Sequence, residues 1–329
     1  MRENRTYGSE GGEGASPSRP LSFFLPVKSA WMLVAGFSFA LMGVFVKLAA
    51  EWFSSDELVF YRSVLGLILV LALVGWRHGL AGGRQLLGAH VGLHLRRSLV
   101  GFAALTAFFY SLTKLSLAAA LTLNYTSPLF LALIMPLALK ERPSRAQYFA
   151  VALGFAGVAL LLRPWETGGD LGAGLVGLLS GLLAALAYVH VRQLGLRQEP
   201  EWRTVFWFAA VCSAGSAALA SAHEWHPVGL DNAGLLLALG VFATAGQLAM
   251  TRAYRRGETA VVAALAYSTV VFGSLLDVVI WNEPLPAPAW AGILLTVTAG
   301  LWAVRLVNVN PRSDPVSPSV PPGGGTRPG

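Results

Sequence analysis

The stretch LAAALTLNYTSPLFLALIMPLAL, residues 117–139, runs for 23 positions without a charged side chain. A helix needs about 20 such residues to cross a hydrocarbon core of roughly 30 Å, so this run is long enough to span a bilayer. Moved along the chain by 142 residues, it meets AVVAALAYSTVVFGSLLDVVIW, residues 260–281. Ala118 then pairs with Ala260, Leu123 with Leu265, Tyr125 with Tyr267 and Phe130 with Phe272, without a gap. The same register carries Glu141 onto Glu283 in the following loop and Arg163 onto Arg305 at the far end of the next helix. Two halves of one chain therefore repeat a single pattern.

Outward from this pair, apolar runs bounded by charge, Gly or Pro predict ten helices. They cover 30–50, 58–76, 99–113, 117–139 and 148–162 in the first half, then 171–191, 204–222, 233–250, 260–281 and 289–306. The composition agrees: 55% of the 329 residues are hydrophobic and 12% charged, where soluble domains carry roughly a quarter of their residues charged. Continuous apolar runs select helices over barrel strands, because a helix in lipid bonds all its own backbone polar groups. The third and fifth runs are short for a full span, which predicts extension at their ends or local thinning of the bilayer. The two ends, 1–28 and 307–329, are rich in Gly, Pro and Ser with little to bury, and are expected to be disordered tails. Arginines and glutamates mixed through the first 28 residues argue against a cleavable leader. The first apolar run is accordingly read as the first helix.

Of the 24 Lys and Arg, 20 fall on one side of this arrangement, and Lys47, Arg62, Lys114 and Arg163 on the other. Basic loops are retained in the cytoplasm. The count predicts an even number of spans with both termini cytoplasmic, and the abundance of Ala, Gly, Leu and Arg points to a bacterial inner membrane. The net charge of +7 is then a matter of topology. The basic residues sit singly or in pairs between apolar runs and offer no continuous face to nucleic acid. The single cysteine, Cys212, excludes an internal disulfide or thiolate metal cluster; it leaves an intermolecular bond, and with it a homodimer, open. No cofactor is expected.

Each half holds five helices, an odd number, so the second enters the membrane from the opposite side to the first. The expected fold is all-α, with ten transmembrane helices as two inverted five-helix repeats, 29–163 and 171–306. Inverted repeats give secondary transporters two near-equivalent conformations, open to opposite faces around a midplane site. That predicts alternating access of a small-molecule substrate, without ATP. The segment 118–163 has an Ala-rich entry, Tyr125, Pro128, the loop Lys140-Glu141-Arg142, Gln147, and Gly154 with Gly157 before Arg163. It resembles the repeat of the EamA family in the drug/metabolite transporter superfamily. Residues 260–305, with Asn282-Glu283-Pro284-Leu285, are similar to it, although Pro284 stands where the first copy has Arg142. The resemblance covers nearly all of 29–306 and implies ten helices around a central cavity. The substrates it implies range from amino acids and other metabolites to vitamins and S-adenosylmethionine, and membership alone does not choose among them.

Polar groups inside spans are costly and are read first as functional. Asp277 lies well inside the ninth predicted span, about one turn from its outer end. It is expected either to couple proton movement to transport or to pair with Lys47 or Lys114 near the same boundary. Lys47 and Arg62 are candidates to clasp an anionic substrate, or else to snorkel to the outer interface. Tyr110, Asn124, Tyr125, Tyr188, Gln247 and Tyr267 offer hydroxyl, amide and aromatic surface for the wall of a substrate pocket. Each could serve an interhelical hydrogen bond instead. Gly177 with Gly181, and Gly154 with Gly157, give the sixth and fifth helices small faces for close packing. His190 is expected at the cytoplasmic interface.

A membrane enzyme finds little support. The sequence has no HExxH, no paired intramembrane aspartates and no phosphate-binding loop. Ser180 and His190 lie ten positions apart on one predicted helix, about 15 Å along its axis, and cannot form a dyad. A channel or facilitator is the remaining alternative, set apart from a carrier by flux that does not saturate.

Overall fold

The computed structural model describes residues 27–78, 86–115, 117–141, 143–162, 165, 170–222, 224–282 and 285–309. These form twelve helical segments and, among the described residues, no strand. In the first half lie α1 (Val27–Ala49), α2 (Ser55–His78), α3 (Val91–Lys114), α4 (Leu117–Asn124), α5 (Ser127–Ala138) and α6 (Arg145–Leu162). In the second lie α7 (Leu171–Leu196), α8 (Glu201–Ala220), α9 (Leu230–Arg256), α10 (Thr259–Ala266), α11 (Ser268–Trp281) and α12 (Ala287–Val309). The pair α4 and α5 makes one span, as does the pair α10 and α11, which gives ten spans. Eight of these are long and apolar enough to cross a membrane. The other two are α3, diluted by His94, Arg96 and Arg97, and α12, whose apolar stretch Ala287–Ala303 is shorter.

The third span corrects its predicted bounds most. It begins at Val91, not at 99, because the arginine pair read as a loop is carried inside the helix. Likewise α7 runs to Leu196 and α9 to Arg256, each beyond its predicted end. The outermost helices reach Val27 and Val309, and the rest of the two expected tails lies outside the described residues. So do Arg142, Arg163 and Glu283 of the repeat register.

Packing repeats with the sequence. Helix α1 packs on α9 and on the broken span α10/α11; its counterpart α7 packs on α3 and on the broken span α4/α5. Helix α2 lies on α8, and α6 on α12, each pair joining equivalent members of the two halves. Lipid supplies no hydrophobic drive between helices, so close approach depends on small residues at the contacts. At Gly181 a Cβ would collide with the Thr126 hydroxyl and come within 2.8 Å of the Leu123 carbonyl. At Gly157 it would collide with the Thr296 hydroxyl and come within 2.8 Å of the Thr296 backbone nitrogen. These glycines seat α7 against the break in the fourth span and α6 against α12.

The runs predicted as continuous helices at 117–139 and 260–281 are both interrupted, within one residue of the same repeat position. At the first break Thr126 accepts a bond from the Leu129 amide three residues on; at the second, Tyr267 accepts from the Val270 amide. Pro128 sits in the first turn of α5, where a missing N–H costs nothing. No proline marks the second break. All eight residues of α10 are buried, which puts the first half of the ninth span at the centre of the bundle.

Candidate functional site

The two breaks meet in the middle of the molecule. Asn124, Tyr125 and Ser127 from the first, and Ala266 and Thr269 from the second, line one cavity with Met32, Phe39, Tyr188 and Met250. The Asn124 amide donates to the Ser180 hydroxyl at 3.0 Å, tying the break to α7, and the Tyr125 hydroxyl hydrogen-bonds Thr269 across to α11. Tyr125 and Tyr267, the repeat-related pair, lie 6.4 Å apart between ring centroids. Tyr188 stacks on Tyr254 at 4.9 Å and 17°. The hydroxyls of Tyr254 and Tyr267 are buried without a hydrogen-bond partner among the described residues. Four tyrosines thus surround the point where two spans lose their helical continuity, and two of them hold unused donors.

One turn from Met250 on α9, Gln247 faces a second cavity, which it lines with Arg62, Ser63, Gly66, Phe208 and Thr244 among others. Here the placement of Arg62 differs from the snorkelling alternative: only 8% of it is exposed, and it points into the bundle. Beneath Gln247 lies Arg97 from α3, 3% exposed, which donates from Nη2 to Gln247 Oε1 at 3.2 Å. Arg97 also lies 3.9 Å from the centroid of the Phe208 ring. Arg97 and Tyr188 are close enough to act on one another electrostatically, so the two cavities share one polar seam.

Of the residues singled out from sequence, Asn124, Tyr125 and Tyr188 come together at the break, with Tyr267 packed beside them. Gln247 and Arg62 come together in the second cavity. Tyr110 stands apart, 47% exposed toward the far end of α3. Lys47 sits at the end of α1 with its Nζ 3.9 Å from the centroid of Trp281. The backbone of Asp277 lies in α11 one turn before Trp281, and its side chain lies outside the described residues. Sequence reading missed Arg97 and Tyr254, both assigned to loops. The signal for Arg97 was present: the apolar run Val91-Gly-Leu-His-Leu95 precedes the arginine pair, so the charges interrupt an apolar run instead of ending it.

The face that carries the basic loops is cross-linked. Arg192 on α7 donates from Nε to Glu141 at 2.8 Å and from Nη1 to the carbonyls of Tyr254, Arg255 and Gly257 at 3.1–3.2 Å. Gln147 on α6 hydrogen-bonds Glu258 at the entry to α10, and Arg255 pairs with Glu201 at 2.9 Å. Burial raises the Glu258 pKa, and Glu141 nearby adds to this against the Gln147 hydrogen bond and the Arg192 charge. In the loop between α7 and α8, burial alone would raise the Glu199 carboxyl, but His90, Arg203 and His94 outweigh it and hold it at about 2. His190, expected at an interface, has a buried Nδ1 without a partner.

The model of the EamA-like transporter family matches residues 28–163 and again 171–305. The pseudopaline exporter CntI of Pseudomonas aeruginosa (strain UCBPP-PA14) is 33% identical over 267 residues, 81% of this chain and 92% of that protein. A riboflavin transporter of Rhizobium johnstonii is 29% identical, over 85% of this chain and 91% of its own length. Human solute carrier family 35 member G1 is 24% identical, over 83% and 77%. A crystal structure at 20% identity covers 86% of this chain and 99% of its own with a TM-score of 0.73, which shows the same fold. A twice-matched family model over two inverted five-helix halves settles membership: this multi-pass membrane protein belongs to the EamA-like transporter family of the drug/metabolite transporter superfamily.

Proposed function

We propose that the chain is a secondary carrier that moves a small polar or amphipathic metabolite, an amino acid or a related compound, by alternating access. In this reading the basic face is cytoplasmic, both termini lie inside a bacterial inner membrane, the repeats are the units 29–163 and 171–306, and no covalent chemistry is performed. The observation that carries it is the pair of breaks at Thr126 and Tyr267, repeat-related and facing one cavity. Irregular backbone at membrane depth is tolerated where it lines a cavity, and carriers place their substrate there. Asn124, Tyr125, Tyr188, Tyr267 and Gln247 then line the substrate path, with Tyr110 on the approach from the opposite face.

Asp277 and Trp281 are four residues apart on α11 and share a face. Since Lys47 already lies over Trp281, a Lys47–Asp277 salt bridge is favoured over a proton-coupling role. Asp277→Asn should then lower membrane abundance, and a second change, Lys47→Gln, should restore it. Normal abundance of the single variant, with uphill transport lost, would instead favour proton coupling.

The function itself is tested with purified protein in vesicles. Uptake of labelled amino acids should saturate, need no ATP, and accelerate when unlabelled amino acid is loaded inside. Flux that rises linearly with concentration and ignores the trans side would show a channel.

A further inference from the structure

Among the described residues Arg62 and Arg97 are the most buried Lys or Arg, and no carboxylate of these residues neutralises them. A charged side chain inside a membrane protein is costly unless it is paired. Arg97 spends one donor on Gln247 and has its Cζ over the Phe208 ring, while its Nε and Nη1 are buried with no hydrogen-bond partner among the described residues. Among the described residues Arg62 reaches only the thioether sulfur of Met42, at 3.8 Å. Among the described residues neither guanidinium has a carboxylate within ion-pair distance. By contrast, two buried carboxylates of this chain are well partnered: Glu57 is bonded to His226 and to Ser54, and Glu199 to two histidines and Arg203.

The two arginines are also close to one another, near enough to interact electrostatically with each other and with Cys212. Like charges brought together in a low-dielectric interior raise the cost further. Arg62 lies about two turns in from the start of α2 and Arg97 about two turns in from the start of α3, helices whose starts lie on opposite faces. Arg62 lines the second cavity with Ser63, Thr244 and Gln247, and Arg97 reaches the same polar wall through its bond to Gln247. A guanidinium always carries its charge and presents a planar fork of donors that matches a carboxylate. The missing element of this site is an anion.

We propose that Arg62 and Arg97 form an anion-binding element of the transport cavity, and that the transported molecule carries a carboxylate which the pair grips at the midplane. This rests on the carrier reading above. Gln247 holds the Arg97 plane in place as a positioning residue, and the seam through Tyr188 places the rest of the molecule at the breaks in the fourth and ninth spans.

The test uses full-length protein in vesicles, with alanine, leucine, phenylalanine and histidine as probes, each beside its carboxamide, which differs only in lacking the carboxylate. Wild-type vesicles should take up at least one acid saturably and prefer it to its amide by roughly ten- to hundredfold, the worth of charge-assisted hydrogen bonds. Arg62→Gln and Arg97→Gln should reduce that preference to near unity, and Arg62→Lys should retain part of it. The acid-to-amide ratio is indifferent to general loss of protein, so a variant of low abundance still reports. Equal uptake of acids and amides by the wild type, or an unchanged ratio in both Gln variants, would overturn the anion site and leave the carrier reading intact. No saturable uptake of any acid or amide by folded protein would overturn the carrier reading and the anion site with it.

Discussion

On the basic face, Arg192 reaches from α7 to Glu141 and to three carbonyls at the end of α9; on the opposite face the same repeat register places Ala50 at the end of α1. The packing follows this difference. Helices α7 and α9 lie against each other, whereas their counterparts α1 and α3 form no comparable interface among the described residues. In the carrier reading proposed above, two repeats of one fold make two equivalent gates, and the cross-links centred on Arg192 would make them unequal. A carrier needs both closures to be accessible, but it does not need them to be equally stable. The resting state is set by whichever gate has the better cross-links, and a small ligand-dependent free energy then suffices to shift the population.

The largest effect should follow from removing that arginine. Arg192→Ala leaves Glu141 unpaired and three carbonyls without their donor, a loss of about 3 kcal/mol by analogy with other partly buried pairs. The buried Leu194 lies half a turn further along α7. In a Cys212→Ser background, Leu194→Cys should resist an impermeant maleimide applied to the basic face, and Arg192→Ala should open it to labelling. Next in size, bulk added where the halves touch should cost stability. Gly157→Val or Gly181→Val should lower the melting temperature of the detergent-solubilised protein through overpacking of about 1–3 kcal/mol. Gly174→Ala, with open space around its Cα, should leave the melting temperature unchanged.

Two acids on the basic face give opposite pH signatures. Glu199 is held at about 2, below its ordinary value of 4.5. Its stabilisation is therefore present above pH 4.5 and lost as the pH falls from there toward 2. Glu199→Gln should remove that part of the acid sensitivity from a melting-temperature profile. Glu258 is raised above 4.5, so the fold prefers its protonated form, and stability falls as the pH rises through the folded pKa. Glu258→Gln mimics the protonated acid. This smallest effect should appear as a slight stabilisation at pH 7 that vanishes below pH 4.5; a destabilised variant at pH 7 would contradict it.

Much of this architecture was legible. The 142-residue register aligned Tyr125 with Tyr267, and these two residues stand at the two breaks, because a repeat aligns equivalent structural positions whatever its sequence noise. The breaks beside them were not legible. A run such as AVVAALAYSTVV contains no helix breaker, and the interruption at Tyr267 depends on packing against α6, where Gly154 receives the Tyr267 ring. Arg97 and Arg192 were hidden for a related reason. Charge next to an apolar run is read as the edge of the membrane, and these side chains instead turn inward, one to Gln247 and Phe208 and the other to the α9 carbonyls. Sequence gives the position of a charge along the chain, whereas its direction is a property of neighbouring helices.

The inequality of the two gates is tested most directly by spin-label distances in vesicles, with Cys212→Ser as background. One pair, Leu196→Cys with Arg256→Cys, reports the basic face; the other, Ala50→Cys with Lys114→Cys, reports the opposite face. Without substrate, the account predicts a narrow, short distribution on the basic face and a broader, longer one on the other. Adding Arg192→Ala should broaden the first and shorten the second together. Matching distributions at the two faces, or a basic face unmoved by Arg192→Ala, would contradict it.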